Sequence, residues 1–82
     1  MELMMRVKYL GPDIGVDGLR NGRIYEVLRV DETTGYLAVV DESGEDYLYH
    51  PVRPQAIAGQ YQGGRFEIIE DNETEDLKSL IS

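Results

Sequence analysis

The chain has 82 residues, sixteen of them acidic and eight basic, for a net charge of −8, and it has no cysteine. That length is one domain, and a domain of this size buries only roughly 60–65% of the surface its unfolded chain exposes, so the core is small. Without cysteine there is no disulfide or thiolate metal centre to supplement it, and the acidic balance works against phosphate backbones and anionic lipid surfaces.

The start, MELMMRVKYL, carries Glu2 and Arg6 inside its apolar run, so it has neither the basic nor the apolar region of a signal peptide. No stretch approaches the roughly 18 apolar residues of a membrane span. The expectation is a soluble, cytoplasmic protein with no membrane partner. Residues 4–10 alternate, with Met5, Val7 and Tyr9 on one face and Arg6 and Lys8 on the other, the period of a half-buried strand. Residues 10–22, LGPDIGVDGLRNG, hold four glycines, a proline and two aspartates, which predicts a long irregular loop. Such a loop in a compact domain is often functional or folded back on itself.

Asn21-Gly22 is a turn pair that opens a strand over 23–30, RIYEVLRV. Tyr25 and Val27 lie on one face of it and Ile24, Leu28 and Val30 on the other, which suits a barrel strand touching more than one layer. DETTG at 31–35 is a turn and YLAVVDE at 36–42 the next strand. Ser43-Gly44 turns the chain back into EDYLYH at 45–50, an antiparallel hairpin because so short a link closes nothing else. Pro51 and Pro54 lack amide donors and break the pattern, so 50–57 is expected as a single 3₁₀ turn, followed by a flexible connection over 58–64. RFEIIE at 65–70 alternates again, with Phe66 and Ile68 together.

The tail, 71–82, changes character. Six carboxylates fall between Glu67 and Asp76, Asn72 and Glu75 are spaced like a capping box, and Leu77, Leu80 and Ile81 recur at helical spacing. A helix this short is marginal alone. The pattern leaves open a docked helix or a disordered acidic appendage. The similar stretches VDETTGYL at 30–37 and VDESGEDYL at 40–48 mark two successive turns of a β-meander.

Five short strands, a long loop after the first and a proline-marked turn before the last give the order of an SH3-like five-stranded small barrel over residues 1–70, with 71–82 as a separate tail. The expected core is Met5, Val7, Tyr9, Leu19, Tyr25, Val27, Leu37, Val39, Leu48, Phe66 and Ile68. NGRIYEVLRV at 21–30, DESGEDYLYHP at 41–51 and FEIIE at 66–70 resemble a largely uncharacterised family of small acidic SH3-like proteins of Gram-positive bacteria and their phages. The resemblance spans roughly residues 5–51 and 65–70. His50 stands where such proteins are proline-rich, and 52–64 is longer than their link. The resemblance implies a fold and no established activity. The chain has no tryptophan and no ALYDY-type stretch, so polyproline binding is not transferred.

Candidate chemistry is sparse. Asp41, Glu42, Glu45 and Asp46 offer oxygens, but an EF-hand needs alternating ligands and a bidentate acid at its twelfth position, where counting from Asp41 gives Val52. His50 is the only histidine, so it has no partner for a transition metal. Ser43, Ser79 and Ser82 sit in a turn and the tail, poor places for a nucleophile. The glycines at 11, 15, 18 and 22 match neither a P-loop nor GxGxxG. The expectation is no enzyme, no metal and no cofactor.

Six tyrosines against one phenylalanine are the more pointed feature, since tyrosine suits both interfaces and shallow cores. Tyr47 and Tyr49 share a face opposite Leu48. If Leu48 is core, they are exposed beside Tyr36, in a patch rimmed by Glu45 and Asp46. The bland alternative is partly buried packing tyrosines. The leading functional reading is therefore a non-catalytic protein-interaction module, with self-association left open. The alternatives are a nucleic-acid-associated barrel, which needs the arginines to converge, and an acidic DNA mimic, which needs a basic protein partner.

Overall fold

The computed structural model describes residues 5–55 and 59–81. The first position of the expected 4–10 strand, the end of the 50–57 stretch, residue 58 and Ser82 lie outside them. The described chain forms β1 (Met5–Leu10), β2 (Ile24–Val30), β3 (Leu37–Val40), β4 (Asp46–Tyr49), β5 (Arg65–Glu70) and a C-terminal helix, α1 (Asp76–Ile81). All five strands belong to one antiparallel sheet in the order β4-β3-β2-β1-β5. The protein is all-β with a short helical appendage. Short turns pair β2 with β3 and β3 with β4, the long loop returns β2 along β1, and β5 comes back to the free side of β1, with Val7 opposite Ile68 and Tyr9 opposite Phe66.

Alternation fixes the core face. Met5, Val7 and Tyr9 of β1, Tyr25 and Val27 of β2, Leu37 and Val39 of β3, and Phe66 of β5 are all buried, with Leu19 folded in from the long loop. Ile68 is only partly buried and packs against this cluster. Tyr9 meets Phe66 edge to face at 6.1 Å, and its hydroxyl donates to the Pro12 carbonyl at 2.5 Å.

A bulge in β2 explains its two-sided apolar pattern. Val27 faces Val39, but Arg29 rather than Leu28 faces Ala38, so Leu28 is the extra residue. The slip of one position returns Val30 to the core side, opposite Leu37, and leaves Leu28 48% exposed. A second bulge, at Arg6–Val7, sets Ile69 aside on β5.

The expected placement of Leu48 in the core is corrected. Tyr49 pairs with Leu37 and Tyr47 with Val39, so both tyrosines lie on the face of those core residues, whereas Leu48 pairs with Ala38 on the opposite face of the sheet and is half-buried. Tyr49 is the core residue of β4, 3% exposed. Within the described part of the 50–57 stretch, the expected 3₁₀ turn is replaced by bends. Residues 51–53 form bends organised by His50, whose Nδ1 accepts the amide protons of Val52 and Arg53 at 3.1 and 3.0 Å.

The tail docks. Leu77 is fully buried, Leu80 and Ile81 pack beside it, and α1 rests on β5. Its amino end is satisfied by side chains, as exposed helix amides require. Asp71 accepts from the amides of Leu77 and Lys78, and Asn72 Oδ1 from that of Asp76. The capping-box spacing had pointed to Asn72 with Glu75. Glu75 instead occupies a left-handed turn, φ 55°, and reaches toward Lys78.

Candidate functional site

The acidic run at 41–46 is divided by the hairpin into four different environments. Asp41 points inward and is buried: Oδ2 accepts from the Tyr49 hydroxyl at 2.7 Å, and Oδ1 from the amide and hydroxyl of Ser43. Glu42 accepts from the Tyr25 hydroxyl at 2.7 Å and lies 3.6 Å from Arg23. The same Tyr25 oxygen accepts from the Arg20 amide, and the Glu42 amide donates to the Gly18 carbonyl, so the 11–22 loop is seated on the β3–β4 turn. Glu45 accepts from Tyr47, and Asp46 pairs with Arg29. The run is a fold element and a surface, and among the described residues no cluster of three or more histidine, aspartate or glutamate side chains is placed to hold a metal ion.

Burial and the adjoining carboxylates set the tyrosine acidities. Tyr25 is pushed up to about 12, by burial first and then by its hydrogen bond to Glu42. Tyr49 is pushed higher still, by burial and then by Asp41. Both hydroxyls stay protonated donors at neutral pH, so they act as internal struts.

The expected aromatic patch is therefore broken up. Tyr49 is in the core because of the β4 register. Tyr36 is half-buried and stacks edge to face on His50 at 5.1 Å. Only Tyr47, 49% exposed, faces solvent with Glu45 and Asp46 beside it on the edge strand.

A different surface concentrates the features of a binding site. A groove with a cavity volume of about 900 Å³ runs between the second half of β2 and the segment leading into α1. Its apolar wall is Met5, Val27, Leu28, Val30 and Leu80, and its polar side carries Glu26, Glu32, Glu73 and Asp76 with Asn72, Thr74 and Ser79. Arg29 also lines it, but its guanidinium is directed to Asp46 of β4 at 3.4 Å. Among the described residues, none of those four carboxylates lies within ion-pair distance of a cation. Asp76 is held below the usual carboxylate range by donation from the Asn72 side chain and then from Thr74.

Sequence reasoning had not assembled this groove. Its one local signal was Leu28, an apolar residue on the outward face of a strand. The bulge and the docking of α1, which together bring Leu28 and Leu80 into one groove, have no short-range signature. Elsewhere the arginines are spent on carboxylates: Arg6, Arg20, Arg23, Arg29 and Arg65 each pair with one. No described helix is long and apolar enough to cross a membrane. No family model, no curated protein and no solved structure matches the chain.

Proposed function

We propose that this protein is a non-catalytic interaction module whose β2–α1 groove takes a basic, partly apolar segment of a partner protein. The supporting observation is the pairing, in one concave surface, of an apolar wall on which Leu28 is exposed and Val30 and Leu80 partly so with four carboxylates that lie outside ion-pair distance of any described cation. Apolar burial supplies affinity and the acidic rim supplies orientation and on-rate. A basic surface on a larger protein, as the acidic-mimic reading requires, presents the same chemistry. The nucleic-acid reading draws less support, because five arginines are already turned to carboxylates rather than to one face.

The test is fluorescence anisotropy with labelled peptides that alternate arginine and leucine, against sequence-matched acidic peptides. The basic set is expected to bind and to weaken with salt. In the E26Q/E73Q variant its affinity should fall roughly five- to thirtyfold, from about 0.5–1 kcal/mol per exposed charge pair. Equal binding of basic and acidic peptides would overturn the proposal. Loss of binding in Tyr47→Ser with none in E26Q/E73Q would move the site to the β4 edge.

A further inference from the structure

A separate feature lies in the long loop. Asn21 is followed by Gly22, the pairing in which the main-chain nitrogen of the following residue most easily attacks the side-chain amide, because glycine presents no Cβ. Asn21 is exposed, and a Cβ built at Gly22 would meet nothing within 4 Å, so neither bulk nor burial shields the pair.

Both reacting groups are nevertheless held by hydrogen bonds. The Gly22 amide, which must lose its proton to become the nucleophile, donates to the Tyr9 carbonyl at 2.7 Å. The carboxamide oxygen of Asn21 accepts from the Gly11 amide at 3.0 Å. The Asn21 amide donates to Asp13 Oδ1 at 2.9 Å, and the other oxygen of Asp13 holds Arg20 at 3.1 Å. Tyr9 is fully buried, so the acceptor of the Gly22 proton belongs to the rigid part of the sheet.

We infer that Asn21 is a deamidation site gated by opening of the 11–22 loop: protected in the folded chain and released when that loop lifts. In the open loop the deprotonated Gly22 nitrogen bonds to Asn21 Cγ and ammonia leaves, giving a succinimide. Water then opens the ring to aspartate or isoaspartate at position 21. No oxidant or reductant takes part. Isoaspartate adds a methylene to the main chain at the point where Gly22 meets Tyr9, so the modified loop cannot reclose on the same hydrogen bonds.

The experiment ages the full chain near neutral pH, folded and in denaturing urea. It follows ammonia loss by intact mass and isoaspartate by peptide mapping across residues 18–26. The folded chain should deamidate at Asn21 at least about tenfold more slowly than the unfolded one, each tenfold corresponding to about 1.4 kcal/mol of loop-opening free energy. The Asp13→Ala variant, checked for folding by circular dichroism, loses the contacts to the Asn21 amide and Arg20 that seat the loop, and should deamidate measurably faster than the folded wild type while ageing at the wild-type rate in urea. Equal rates for the folded and unfolded wild type would overturn the inference. So would a folded Asp13→Ala protein as slow as the wild type. An Asn21→Asp control fixes the background from other amides.

Discussion

Replacing Tyr49 by phenylalanine isolates one hydroxyl inside the β3–β4 hairpin. The ring, 3% exposed, keeps its packing, while Asp41 Oδ2 loses the donor 2.7 Å away. Asp41 is itself buried, so water does not freely replace that donor. A hydrogen bond to a charged group contributes about 1.5–3 kcal/mol, and about 2 kcal/mol is expected here. For a domain of this size that lowers Tm by about 8–16 °C. The loss should also depend on pH in a way a packing defect would not. In the unfolded chain a tyrosine ionises near pH 10, and in the folded chain Tyr49 ionises well above that. Above about pH 10 the unfolded state therefore binds fewer protons than the folded state, and wild-type stability falls with pH. The phenylalanine variant lacks this proton, so its deficit should shrink by up to about 1.4 kcal/mol per pH unit above about pH 10. Urea titrations of both proteins from neutral to alkaline pH read this directly. A deficit below about 0.5 kcal/mol, or one that stays constant through the alkaline range, would refute the strut between Tyr49 and Asp41.

Leu77→Ala should cost about 2–5 kcal/mol, because the side chain is fully buried against the sheet. Chemical denaturation gives the value, and hydrogen exchange should show α1 losing protection before β1–β3. Gly64→Ala should destabilise by about 1–3 kcal/mol, since the added Cβ would lie 2.4 Å from the Tyr9 ring and hydroxyl. Tyr9→Phe in the same background should restore only part of that loss, because the ring carbons crowd Gly64 as closely as the oxygen does. Asp31 is held below the usual carboxylate range mainly by the Thr34 hydroxyl and then the Thr34 amide. Its contribution to the turn is present at neutral pH and lost as pH falls through its depressed pKa. Thr34→Ala should shift its carboxyl titration upward, as followed by carbon NMR.

The strand count, the long loop and most of the core were legible because they rest on period-2 alternation and on glycine and proline placement, both local signals. Tyr9, Tyr25 and Phe66 were placed correctly on that basis. The face of β4 was not, for a physical reason: in DYLY every second residue is a tyrosine and the single aliphatic is Leu48, so alternation fits either face. Register with β3 decides it, and register is a property of two strands together. The groove was hidden for the same kind of reason. Its wall needs the slip at Leu28, and its rim needs Leu77 to anchor the tail. The carboxylates of the β3–β4 hairpin were visible as a cluster, but which of them turn inward depends on the hydroxyls of Tyr25, from β2, and of Tyr49, at the far end of β4.

The strand order carries a consequence for the route by which the chain folds. β2, β3 and β4 are joined by short turns and can zip from neighbour to neighbour. β1 is flanked by β2 and β5, and its partner on the second side, Arg65–Glu70, arrives from almost the other end of the described chain. Closing that long span costs chain entropy before any contact compensates it. The three-strand meander is thus placed to form the nucleus, with φ-values near 0.5 or above expected at Val27 and Val39 and near zero at Phe66 and Leu77. The last strand and its helix then act as the latch, so their loss should accelerate unfolding far more than it slows folding.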